Sequence, residues 1–169
     1  MKDSALRRLV LSSLFAALTC VATLVIQIPS PMSGYVNLGD GLVLASGWML
    51  GPVYGTVAAA VGSCLADIIS GYAVYAPATF IIKGLVAFLA SVVCSALKRV
   101  KMNGIISAVC GGITGEIVMV GGYFLYAALI FGEGLAAAAS IPGNLTQAVF
   151  GIITGIVLTQ ALDRIIRKR

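Results

Sequence analysis

Apolar residues dominate this chain in long blocks. Those at 9–28, 77–97, 103–130 and 141–163 each reach the length of about 20 residues that a helix needs to cross a bilayer. The block at 38–71 holds 34 residues, too many for one crossing and few for two. It is interrupted at Gly51-Pro52, and proline disfavours helix at the residue before it. Splitting it there gives helices at about 9–28, 38–51, 53–71, 77–97, 103–130 and 141–163. The expected fold is therefore all-α: one integral membrane domain over 1–169, built as a bundle of six transmembrane helices. Helices 2 and 3 would be short and would thin the bilayer locally or lean on their neighbours.

Charge chooses between five crossings and six. Ten of the eleven basic residues fall in three clusters, Lys2/Arg7/Arg8, Lys98/Arg99/Lys101 and Arg164/Arg167/Lys168/Arg169. Basic clusters flanking apolar spans mark the cytoplasmic side. An even number of spans must then separate successive clusters, which requires two helices within 38–71. Both termini are cytoplasmic in this arrangement, and the external loops 29–37, 71–77 and 131–140 contain no Lys or Arg. The N-terminus has the look of a signal peptide, and Leu18-Thr19-Cys20 hints at a lipoprotein cleavage site. The apolar run nevertheless continues to Ile28, so a retained first span is expected.

Composition agrees: 60% of residues are hydrophobic and 10% are charged, against about 25% charged in soluble domains. A net charge of +5 is dispersed between spans and forms no patch with interleaved aromatics, which excludes a nucleic-acid partner. The four cysteines form no CxxC pair and the chain has no histidine, so neither a metal centre nor a cofactor is expected.

Small residues recur every fourth position in Gly47/Gly51/Gly55, Ala58/Gly62/Ala66/Ser70, Gly111/Gly115 and Gly151/Gly155, as in ridges along which membrane helices approach closely. The polar residues are one-sided. Asp40, Asp67, Lys83, Glu116, Tyr123, Asn144 and Gln147 come from five helices, yet all fall between the midplane and the outside. Charges inside a membrane cost about 2.5–3.5 kcal/mol each if they meet lipid, so Asp67, Lys83 and Glu116 must pair, face inward or line a polar pocket. Asp40, after Gly39, reads as a helix N-cap or a ligand contact. Asp67 and Lys83 read as an ion pair or as part of the site. Gly111, Gly112 and Gly115 open space beside Glu116. Trp48 reads as an interface anchor, and Tyr72 and Tyr75 as an external aromatic belt or as stacking groups.

The segments Gly34-Tyr35-Val36-Asn37-Leu38-Gly39-Asp40, Gly51-Pro52, Gly62-Ser63-Cys64-Leu65-Ala66-Asp67-Ile68-Ile69-Ser70-Gly71-Tyr72, Ala76-Pro77-Ala78-Thr79-Phe80-Ile81-Ile82-Lys83-Gly84-Leu85 and Pro142-Gly143-Asn144-Leu145-Thr146-Gln147 carry a family resemblance. Together they resemble the substrate-binding S components of energy-coupling-factor (ECF) vitamin transporters, nearest the branch assigned to pyridoxine, hydroxymethylpyrimidine or queuosine-precursor uptake. The resemblance implies a multi-pass protein of the prokaryotic plasma membrane that binds a micronutrient outside. Its partners would be a transmembrane T component and two ATPase subunits. It also implies T-component docking through small residues of helix 1, here Ser12, Ser13, Ala16, Ala17 and Cys20, although paired alanines are absent.

A pocket confined to the outer half suits a carrier rather than a channel, which needs a continuous polar path. The residues expected to bind ligand are Asn37, Asp67, Lys83, Glu116, Tyr123, Asn144 and Gln147, with Tyr35, Tyr72 and Tyr75 as lid or stacking groups. The loop 29–37 would act as a lid. No catalytic residue is expected. The alternative from another class is a small intramembrane enzyme using Glu116, Asp67 and Lys83 as acid and base groups.

Overall fold

The computed structural model describes residues 2–29 and 35–167, with side chains over 5–29 and 35–164. Pro31 and Gly34 of the expected lid, and Lys168 and Arg169 of the last basic cluster, lie outside the described residues. The elements in order are α1 (Lys2–Val25), β1 (Gln27–Pro29), β2 (Tyr35–Asn37), α2 (Asp40–Ile69), α3 (Ala76–Arg99), α4 (Gly104–Ile130), a 3-10 helix (Gly134–Ser140) and α5 (Ile141–Arg167). Five helical stretches are long and apolar enough to cross a membrane. The protein is thus nearly all helical.

The first apolar run stops being helix at Val25, earlier than its composition suggests. Residues 27–29 instead pair antiparallel with 35–37, setting Gln27 opposite Asn37 and Pro29 opposite Tyr35. Pro29 favours this extended conformation in the residues before it. The pairing brings β2 back over one end of the bundle.

Helix α2 is interrupted where the sequence suggested. Gly51 has φ 82° and ψ −179°, a conformation available to glycine alone, and Pro52 follows it. The Ser46 hydroxyl donates to the Gly55 carbonyl at 3.1 Å, whereas nine residues of straight helix would separate them by about 13.5 Å along the axis. The chain therefore doubles back at Gly51, and both limbs pack against α3. Gly47 lies against the backbone of Ala87 and Gly84 against Ala60 and Thr56. At the start of α4, Asn103 caps the helix by accepting from the Ile105 amide at 2.8 Å.

Helix α2 packs on α1, α3 and α5, and α4 packs on α3 and α5. The core between them is built from Val43, Leu44, Val86 and Met119, all fully buried, with small residues between. Leu14, Phe88, Ile117, Leu129 and Val157 are among many large apolar side chains on the outside, as befits a surface meeting lipid.

The glycines beside Glu116 pack helices and do not open a pocket. Gly111 abuts the Ala90 carbonyl and Gly115 faces Val86, so a methyl at Gly111 would sit 2.5 Å from that oxygen. Gly112 and Gly155 admit the ring of Trp48. Trp48 packs against the core, and its indole N–H is buried without a hydrogen-bond partner among the described residues. It is half-buried, with its ring against Gly112 of α4 and Gly155 of α5, at the end of the bundle that carries Arg7, Arg8 and Lys98. Cys20 and Cys94 are buried and all four cysteines are free.

Helix 1 also differs from expectation. Ser12 is buried and donates to the Tyr54 carbonyl at 3.0 Å, and the Ala16 carbonyl abuts Gly62. Cys20 faces inward with them, while Ser13 and Ala17 face outward. Residues four apart share a face and adjacent ones do not. The Ser12/Ala16/Cys20 ridge is therefore already occupied by α2, leaving Ser13 and Ala17 as the accessible members of the expected docking set.

A polar cavity at the β-hairpin end

The site begins at β2, whose register turns Tyr35 and Asn37 to the same side. A cavity of about 50 Å³ lies beneath them. Asp67 closes it from the last turns of α2, Tyr75 and Thr79 from the start of α3, and Tyr123 and Ala127 from α4. Ser140, Asn144 and Gln147 complete the wall from the 3-10 helix and the first turns of α5. Five of the seven residues singled out as ligand-binding (Asn37, Asp67, Tyr123, Asn144 and Gln147) therefore come together, with Tyr35 and Tyr75. Thr79, Ala127 and Ser140 are additions. Thr79 was legible as the residue one turn before Lys83 on the same face, but Ser140 lies in a stretch that reads as loop.

Lys83 and Glu116 do not line the cavity; they are buried elsewhere in the bundle. Lys83 pairs with Asp40, not with Asp67, and the two side chains are 3% and 1% exposed. Asp40 accordingly is no helix cap. Gly39 occupies the cap position without a side-chain bond, and the Asp40 carboxylate points inward to the ammonium. The other Asp40 oxygen accepts from the Gln147 amide nitrogen at 2.6 Å. Gln147 Oε1 in turn accepts from the Asn37 backbone N–H at 2.7 Å, and Asn37 Oδ1 accepts from the Gly39 N–H at 2.8 Å. One chain of contacts thus ties α3, α2, α5 and β2 together. A built Cβ at Gly151 would lie 2.7 Å from Asp40 Cβ and 3.4 Å from Glu116 Oε1, so the bare glycine leaves room for both acids. Both Glu116 oxygens are buried without a hydrogen-bond partner among the described residues.

The aromatic wall is held at defined points. Tyr35 donates to Asp67 Oδ1 at 2.5 Å and stacks on Tyr72, ring centroids 4.8 Å apart. Tyr72 therefore supports Tyr35 and does not itself reach the cavity. Tyr123 and Thr79 share a hydrogen bond of 3.0 Å, and the Lys83 ammonium lies 5.5 Å from the Tyr123 ring centre. Tyr75 joins Tyr126 and Phe131 in a cluster with centroids 5.1 to 5.6 Å apart. Burial, then its bond to Asp67, holds the Tyr35 phenol well above the usual tyrosine range. Burial, then the nearby Glu133 carboxylate, pushes Tyr75 up to about 12. Both phenols are neutral donors at physiological pH.

Two amides, a carboxylate, hydroxyls and aromatic faces around a small cavity make a binding site for a small polar heterocycle. Among the described residues no group of three or more His, Cys, Asp or Glu side chains is placed to hold a metal ion. Residues 4–164 match the model of the family described as the ECF-type riboflavin transporter, S component. The chain belongs to this family of ECF S components. An uncharacterized protein of Pyrococcus woesei is 38% identical over 151 residues, covering 88% of this chain and 94% of the relative. The thiamine precursor transporter HmpT of Lactococcus lactis subsp. cremoris is 27% identical over 167 residues, 97% of this chain and 92% of that protein. The solved S component of a bacterial ECF transporter shares the fold, with a TM-score of 0.74 at 23% identity over 95% of this chain and 97% of that one. ECF S components are multi-pass membrane proteins without enzymatic activity, which bind a vitamin substrate and work with a T component and ATPase subunits.

Proposed function

We propose that this S component captures a small heteroaromatic micronutrient of the hydroxymethylpyrimidine or vitamin B6 kind. The observation that carries this reading is the cavity between β2 and the helix ends, where Asn37, Asp67, Asn144 and Gln147 face Tyr35, Tyr75 and Tyr123. Its volume of about 50 Å³ is small against ligand pockets of about 300–1,000 Å³, so a ligand must part the walls. A single ring asks for less movement than the tricyclic flavin of the family's description. The Lactococcus relative, named for a thiamine precursor, points the same way. Lys83 and Glu116 act beneath the cavity, Lys83 as the anchor of Asp40 and Gln147.

The reversal at Gly51 supports a count of six passes, with both ends on the face that carries the basic clusters. That face is cytoplasmic by the excess of Lys and Arg, and the cavity opens outward. β2 with Tyr35 forms its roof and opens to admit ligand. Ser13 and Ala17 present the small-residue face to the T component, which with two ATPase subunits energises release.

The test is calorimetric titration of the purified chain with an aminopyrimidine alcohol, pyridoxine and riboflavin. Binding of a single-ring ligand, lost in an Asn144→Ala variant, is expected. Binding of riboflavin alone would overturn the proposed ligand class.

A further inference from the structure

We propose that the cavity selects by charge: it takes a ring that presents an N–H donor or a positive charge to Asp67, and it rejects anionic forms such as a phosphate monoester. This rests on the ligand class proposed above and adds the group that decides within it.

Asp67 is 4% exposed, and its Oδ1 accepts from the Tyr35 hydroxyl. Oδ2 is buried with no hydrogen-bond partner among the described residues. The Thr79 hydroxyl lies beside Asp67 and also shares a hydrogen bond with Tyr123, so it turns its proton to one or the other. A buried carboxylate oxygen left unpaired is costly, and a ligand donor that reaches it recovers that cost. Among the described residues the cation acting on Asp67 is Lys83, and its ion pair is with Asp40. No Lys or Arg lines the cavity among the described residues.

Two of the remaining polar groups are already committed in part. Gln147 is fixed end to end between Asp40 and the Asn37 backbone, so its amide cannot flip to suit a different ligand. Asn37 uses its carbonyl on the Gly39 N–H and has its NH2 left for a ring nitrogen. The faces of Tyr35, Tyr75 and Tyr123 attract cations and not anions. A phosphate entering here would meet an acid, lose its hydration and find no guanidinium or ammonium to replace it.

The experiment compares an aminopyrimidine carrying a hydroxymethyl group with its phosphate monoester, by calorimetry on the detergent-purified full chain. The expected result is affinity at least about 100-fold weaker for the ester, the scale of a charge-assisted hydrogen bond lost. Asp67→Asn should weaken the alcohol by about 10- to 100-fold and narrow the gap between alcohol and ester. Equal affinity for the two ligands by the wild-type chain, or undiminished binding of the alcohol by Asp67→Asn, would overturn the inference and leave the ligand class standing. Failure of wild type to bind any single-ring heterocycle would overturn the ligand class and this inference with it. The wild-type comparison decides the question even if the variant does not fold.

Discussion

Replacing Lys83 by Met removes the ammonium and keeps a flexible chain of similar length, so the perturbation is mainly one of charge. Asp40 is fully buried, and its partner's side chain is 3% exposed. Opposite charges at contact distance attract by about 4 kcal/mol at an effective dielectric constant near 20. Removing one member of a buried pair typically costs about 3–5 kcal/mol, because the other is left charged and unpaired or must take up a proton. On the usual scaling for a chain of this size this lowers Tm by roughly 6–20 °C. Asp40→Asn added to Lys83→Met removes the stranded charge and keeps an acceptor for Gln147, so the double variant should recover more than half of the loss. Thermal unfolding of the four purified proteins in detergent closes the cycle. A single variant within about 1 kcal/mol of wild type, or a double variant no more stable than Lys83→Met, would refute the view that Lys83 serves Asp40.

Further outcomes follow from other contacts. Gly51→Ala forces a side chain onto a φ of 82° and should destabilise by about 1–3 kcal/mol; an unchanged unfolding midpoint would contradict the chain reversal there. Glu116→Gln removes a buried carboxylate with no hydrogen-bond partner among the described residues, so thermal stability should hold or rise, and a marked fall would show a partner formed by Glu116 in the membrane. Ala17→Trp should abolish co-purification of the T component without disturbing ligand affinity, whereas Ser12→Trp, directed into α2, should lower stability; normal assembly by Ala17→Trp would reject the outward docking face. Tyr75 has a folded pKa of about 12 against an ordinary value of 10.0, so its contribution to stability is whole below pH 10 and lost as pH rises toward 12. Comparing alkaline unfolding of wild type and Tyr75→Phe checks this, since the variant should lose less stability over that interval.

The sequence by itself determined the membrane-embedded helical character, the break at Gly51-Pro52 and the gathering of polar groups at one end. These are properties of runs, of backbone restriction and of depth along a helix, all of which are local or one-dimensional. It also singled out most of the cavity wall, because polar residues are so rare in the apolar segments that each stands out. Which of them meet was decided only by tertiary structure. Asp40, Asp67 and Glu116 are all expected between the midplane and the outside, so depth alone cannot say which acid Lys83 reaches. Rotation about each helix axis and the reversal at Gly51 settle it for Asp40. Rotation likewise buries Ser12 while exposing Ser13, and it sets the Trp48 ring against Gly112 and Gly155. Helix azimuth is fixed by how small residues nest against neighbouring backbones, a pairwise property of the packed bundle that no single stretch of sequence carries.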